Sequence, residues 1–403
     1  LFNSDQPTYF YPSVGVSGVI SEMVSLPKFI SFWKMRASFA EVGGPINYTG
    51  LTPGTVTDPM KGGVINPISV YPFPNFKAEQ TKSYELGTNL RLFNNKINID
   101  ATVYLTDTYN QTFLSSMSPA SGYSGFYVQA GKVRNKGIEL SLGYNDRFGK
   151  VGYATNLTYT ANRNKIMKMV HDYKNPSDGS LFSITELTLQ DKGGVYLREK
   201  DAIGDVYVKG ILARGKDGKL IEEEGGYKVD RSQRIKIGSV NPDFSIGWRH
   251  NVTWNNITLD LLFNGRFGGI VTSSTQAFLD DYGVSKDTYK ARQNGGVWVN
   301  GTQYDAEKYY TTIGGEQLMA YYAYKATNIR LQEASLSYTL PGKWFGNVIN
   351  RLTVSAIGRN LWMIYNKAPF DPEMTSSTGT YNRGDVFMPP SLRSVGFSVK
   401  IEL

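Results

Sequence analysis

Apolar and polar residues alternate with a period of two along most of this chain. Ile97, Ile99, Ala101, Val103 and Leu105 are separated by Asn98, Asp100, Thr102 and Tyr104. Ile138, Leu140, Leu142 and Tyr144 alternate with Glu139, Ser141, Gly143 and Asn145. The stretches from Phe244 to Trp254 and from Val395 to Leu403 follow the same rule. Such alternation marks strands with one apolar and one polar face, and stripes at helical spacing are scarce. The pattern predicts eleven strands, near 11–24, 32–42, 80–92, 96–109, 133–146, 151–163, 243–254, 257–266, 327–340, 351–362 and 392–403. Ordinary globular strands average about five or six residues. About ten residues at 3.3 Å each, tilted near 45°, span roughly 23 Å, the height of the apolar band on an outer-membrane barrel.

The connections alternate in length. Short links run through Asn94–Asn95, through 145–150, through Asn255–Asn256 and through Pro341–Gly342, all rich in turn-forming residues. Long links cover 43–79, 110–132, 164–242, 267–326 and 363–391. Tight turns on one side and long loops on the other are the arrangement of a transmembrane barrel. Irregular loops of such length are functional or internally structured. Trp33, Trp254 and Trp344 fall at strand ends beside short turns and Trp362 at a long-loop end, as aromatic belts at two membrane interfaces require. Asn98, Asp100, Glu139, Asn156, Arg249, Asp260 and Arg359 then line the polar barrel interior. The predicted fold class is all-β, a transmembrane antiparallel β-barrel. Open sheet edges cannot sit in lipid, and single-chain bacterial barrels have even strand counts. The eleven strands are therefore expected to be the carboxy-terminal portion of a larger barrel, whose missing amino-terminal half supplies the partners.

Composition removes other classes. The chain of 403 residues has no Cys and only two His, His171 and His250, which leaves no thiolate or His-rich metal site. No apolar run is long enough for a membrane-spanning helix. The first residues, Leu1 to Tyr11, lack the basic start and apolar core of a signal peptide, and the absent Met suggests a processed or truncated product. The net charge of +8 is scattered, without the basic clusters that nucleic acid would need. Asp191, Asp201, Asp205, Asp217 and Glu222 to Glu224 could contribute to a loop-bound calcium ion, but no twelve-residue calcium loop is present, and solvated loop charge is the better reading. No cofactor is expected. Asp371 and Glu373 form a close carboxylate pair that glycoside hydrolysis could use, but Pro372 suggests a turn, and Arg393 or a backbone amide could satisfy them. Gly204–Asp205 lacks the strand–loop–helix setting of a nucleotide site.

Several segments resemble one family. They are Lys82 to Gly87 with Phe93 to Ile97, Ala130 to Glu139, Gly238 to Phe244 with Gly265 to Gly269, Ile329 to Pro341, Gly358 to Trp362 with Asp371–Pro372–Glu373, and Pro389 to Arg393. In this order, from about residue 80 to the end, they resemble the carboxy-terminal part of the SusC/RagA family of TonB-dependent outer-membrane transporters. The resemblance implies a barrel of about 22 strands with an internal plug. It also implies energy delivered by the TonB complex through the amino-terminal part, and a SusD-like surface lipoprotein as lid. Such pairs import oligosaccharides or peptides in Bacteroidetes, so the expected place is the cell outer membrane, in contact with its lipid.

Within the loops, 267–326 is the richest in aromatics: Tyr282, Tyr289, Trp298, Tyr304, Tyr309 and Tyr310 are its candidate substrate-binding residues. Packing of the loop and of a lid interface is the plainer reading of the same residues. Loop 164–242, with Lys192, Arg198 and Glu222 to Glu224, reads as a solvated rim or docking edge. Active nutrient import is the leading expectation. A passive porin or surface adhesion scaffold and, more remotely, an outer-membrane enzyme are the alternatives.

Overall fold

The computed structural model describes residues 10–44, 70–71, 77–116, 118, 120, 125–174, 179, 181–189, 195–346, 348–376 and 384–402. Most of loop 43–79, and Asp191 of the acidic set, lie outside the described residues. Eleven long strands form one antiparallel path in chain order. They are β1 (Ser13–Val19), β2 (Ile30–Gly44), β3 (Glu79–Leu92), β4 (Ile97–Ser116), β5 (Gly125–Phe148) and β6 (Val151–Lys168). The path continues with β7 (Phe244–Trp254), β8 (Ile257–Phe267), β9 (Asn328–Pro341), β10 (Arg351–Asn366) and β11 (Ser394–Glu402). Each strand pairs with its sequence neighbours, so β1 and β11 have a partner on one side only among the described residues.

Several boundaries differ from the sequence pattern; β6 runs on to Lys168 and β10 to Asn366. The first strand is shorter than 11–24, because the chain turns into a helical turn at Ile20–Met23, where the Ser21 hydroxyl accepts the Trp33 N–H at 3.2 Å. The link at 110–132 is much shorter than expected. Pairing resumes past Asn110, from Gln111↔Ala130 to Ser116↔Gly125, and buries Phe113 and Val128. The link at 145–150 shrinks to Gly149–Lys150, since pairing continues to Phe148↔Val151. At the other tight turns the backbone enters the left-handed region at Asn94, Asn95 and Asn255, which asparagine tolerates best among residues with a side chain.

Paired residues share a face, so the register assigns the two sides of the sheet. Trp248, Leu157 and Phe263 lie on one face, and Arg249 and Asn156 on the other. On the polar face, Arg36 reaches Asp100 at 2.8 Å, and Asn89 also donates to that carboxylate at 3.0 Å. This crossing needs Gly87, because a Cβ there would stand 2.5 Å from the Arg36 guanidinium. Arg249 and Asp260 pair at 2.9 Å, as do Arg359 and Glu333. Asn98 donates to the Asn95 carbonyl and Asn156 to the Ser141 hydroxyl. Glu139 is exposed on β5.

The described parts of the links at 164–242 and 267–326 are structured, and the second carries helices. Residues 267–326 contain α1 (Ser274–Asp281), α2 (Lys286–Gln293) and α3 (Ala306–Gly315). Ser273, Ser285 and Asp305 cap them by accepting N–H groups of Gln276, Thr288 and Lys308. Segment 164–242 contributes the hairpin of Asp205–Leu212 with Val229–Ser239. No described helix is long and apolar enough to cross a membrane.

Candidate functional site

Described parts of loops 164–242 and 267–326 fold together into a crown. Leu212, Leu220 and Tyr227 from the 164–242 segment are buried against Ala277, Tyr304 and Tyr322 from the 267–326 segment. The Tyr304 hydroxyl accepts the Leu220 N–H at 3.0 Å, and its ring meets Tyr227 edge-on at 5.6 Å. Loop 164–242 is therefore not only a solvated rim: its hairpin tip supplies three of the eight buried residues of this core. Loop 363–391 joins through Asp385, which accepts the buried Ser273 hydroxyl at 2.6 Å, and through Phe387, stacked on Phe278 at 5.3 Å. Helices α1 and α3 pack closely because Gly314 has no Cβ, which would stand 2.5 Å from the Ala277 carbonyl oxygen.

A cavity of about 300 Å³ opens between these helices, lined by Asp280, Tyr282, Arg292, Glu307, Tyr310 and Thr311 among others. Asp280 is buried, and burial raises its carboxyl above the ordinary value against the hydrogen bond from Gln276. Burial, reinforced by Asp280 and Asp287, pushes the Tyr310 hydroxyl up to about 12. Arg292 is oriented by donating to the Gly283 carbonyl at 2.9 Å. The cavity thus offers carboxylates, a guanidinium and two phenol rings.

The six aromatics expected to contact substrate part company. Tyr282 and Tyr310 share the cavity. Tyr304 is buried, and Tyr309 packs edge-on against Tyr310 and Tyr321 in the crown core. Tyr289 and Trp298 are exposed elsewhere on the crown. Sequence reasoning missed Asp280 and Arg292; the Ser–x–x–Gln and Ser–x–x–Thr starts of α1 and α2 were the available signal for helices there.

Several of the acidic residues considered for calcium have other partners. Asp201 and Asp205 converge on Lys236, at 3.3 and 2.5 Å. Among the described residues, no group of acidic or His side chains could hold a metal ion. Asp371 and Glu373 are not a free acid–base pair: Arg330, rather than Arg393, serves both, at 2.9 and 3.4 Å.

A sheet of long antiparallel strands, apolar on one face and ion-paired on the other, with structured loops at one end, is the wall of an outer-membrane β-barrel. The comparisons agree: residues 2–361 match the model of the TonB dependent receptor-like, beta-barrel family, and the chain belongs to that family. It is an outer-membrane protein. It is similar to TonB-dependent receptor P3 of Formosa agariphila, 24% identical over 92% of this chain and 39% of the relative. TonB-dependent receptor P39 of the same organism is 22% identical over 94% of this chain and 40% of its own length. Among solved structures, the RagAB peptide importer in its closed-closed state superimposes with a TM-score of 0.75 at 18% identity, covering 99% of this chain and 44% of that one. The open-open state gives 0.71 at 20% identity, covering 100% of this chain and 44% of that one. The chain spans about two fifths of the length of the curated relatives it matches.

Proposed function

We propose that the full-length protein imports an oligosaccharide or peptide across the outer membrane by TonB-dependent active transport, with a SusD-like lipoprotein as surface lid. The observation that carries this reading is the crown: loops 164–242 and 267–326 share one core, loop 363–391 docks on it, and 267–326 holds a cavity with charged and aromatic walls at the loop end of a polar sheet face. A wide barrel with a wet interior needs a plug, and moving a plug requires external work. In this reading the rest of the chain supplies the plug, the TonB contact and the strands that pair with β1 and β11. Asp280, Glu307 and Arg292 in the cavity favour a charged peptide over a neutral glycan. The polar wall of Asp100, Glu139, Arg249, Asp260 and Arg359 lines the route. Receptors and transporters make up the family, and an enzymatic role has no support in the Asp371–Glu373 geometry.

The test is uptake of labelled peptides and oligosaccharides by cells with and without the gene, before and after collapse of the proton gradient. Import that stops on uncoupling, together with a lipoprotein co-purifying from native membranes, is the expected result. Uptake that ignores the uncoupler would replace this reading with a passive pore.

A further inference from the structure

The apolar face of the sheet ends at two charged borders. Toward the short turns the border on β5 is Asp146, ion-paired with Lys96 at 2.8 Å. Tyr144, Leu142, Leu140 and Ile138 follow on the same face, and then Lys136. The stretch from Asp146 to Lys136 covers about 33 Å of strand and, tilted near 45°, about 23 Å of membrane. Lys136 therefore stands where hydrocarbon gives way to headgroups. It pairs with Leu105 on β4 and with Arg163 on β6. One step further out, Arg134 pairs with Lys165, and then Lys132 with Lys168.

The carboxylates on this face serve only half of these bases. Asp107 takes Arg134 at 2.6 Å and Lys132 at 2.8 Å, and Asp243 takes Arg163 at 2.8 Å. Lys136, Lys165 and Lys168 are exposed, and no ion pair among the described residues involves them. Beside them, on the same face, lies an apolar groove of about 430 Å³ lined by Ala37, Tyr84, Leu86, Val103 and Leu105, among others. The register joins the two features: Ala37, Leu86, Val103 and Ile138 form one row, and Tyr84, Leu105 and Lys136 form the next.

We propose that this outward surface binds an outer-leaflet lipid with a phosphate-bearing headgroup. Lys136, Lys165 and Lys168 hold the phosphate, and the groove at Ala37 takes an acyl chain. Unneutralised cations at a membrane border are stabilised by headgroup anions, and a phosphate offers several strong acceptor oxygens to a cluster of donors. The groove decides for a lipid over a free anion, since only a lipid fills both features.

The test uses the full-length protein in nanodiscs of phosphatidylcholine with a minor fraction of lipid A. After transfer to detergent, retained lipid is counted by native mass spectrometry. The unaltered protein retains lipid A. Lys136→Gln/Lys165→Gln/Lys168→Gln loses it, by about fivefold per charge removed. Lys150→Gln, at the short-turn end, leaves retention unchanged. Ala37→Phe fills the groove and lowers retention while the lysines remain. Heat-modifiable migration confirms that each variant is folded, and Lys165→Gln alone replaces the triple variant if that one does not insert. Undiminished retention in a folded lysine variant would overturn the proposal. So would displacement of lipid A by inorganic phosphate with no effect of Ala37→Phe, which would mean a plain anion site.

Discussion

Arg330 and Asp371 are 41 positions apart in the chain and meet at 2.9 Å, both almost wholly buried. Ser391 donates to the same carboxylate at 2.5 Å, and Asn360 donates to Ser391 at 2.8 Å. Three motifs noted separately in the sequence are one network that ties loop 363–391 to strands β9 and β10. Burial works to raise the Asp371 carboxyl, but hydrogen bonds from Arg330 and Ser391 outweigh it and hold the group below its ordinary value. Arg330→Met leaves a buried carboxylate without its cation, at a cost of about 3–5 kcal/mol. A lower urea midpoint is expected, and Arg330→Met/Asp371→Leu recovers most of the loss. Equal midpoints for Arg330→Met and the parent protein would deny the network its structural role.

Tyr304→Phe removes the acceptor of the buried Leu220 N–H. The cost is about 1–3 kcal/mol, confined to the crown. Limited proteolysis should cut both 205–239 and 267–326 faster in this variant while the barrel still inserts. Deleting 214–224 should lower uptake about as strongly as deleting 282–310, because the two segments share a core.

In the cavity, Tyr310→Ala and Asp280→Asn are expected to raise the half-saturating peptide concentration by about tenfold each. Tyr289→Ala, on an exposed helix face, should change it little. Competition uptake measurements with surface expression held constant separate the two outcomes.

Glu199 provides a pH test. Burial opposes its ionisation, yet hydrogen bonds from His171 at 2.5 Å, from the Met169 N–H and from Lys200 hold it down from 4.5 to about 2. A carboxylate lowered by folding stabilises the fold above its unfolded value, and that stability is lost as pH falls. Proteolytic protection of the 164–205 segment should therefore be full above about pH 5 and decline between 4.5 and 2. Glu199→Gln should be less protected at neutral pH and flat across that window.

Topology is open to labelling because the chain has no Cys. Single Cys at Gly218 and Gly301, in the crown, should react with an impermeant reagent on intact cells. Cys at Asn95 and Asn256, in tight turns, should react only after the outer membrane is broken. Labelling of Asn95→Cys on intact cells would invert the barrel.

The sequence by itself determined the wall. Alternation along β5 or β7 is a local property: once Leu140 faces lipid, Glu139 and Ser141 must face away, whatever lies elsewhere. Strand positions, the two faces and the alternation of short and long links followed from that rule. Tertiary structure decided the rest. Tyr304 and Tyr289 sit in similar polar surroundings in the chain, yet one is buried and the other exposed. What separates them is Leu220, 84 positions before Tyr304. Arg330 could be matched to Asp371, and three free lysines to one outward patch, only after register and loop folding had brought them together. A period-two pattern records which side of a strand meets lipid; it carries no information on which distant loop will fill a core.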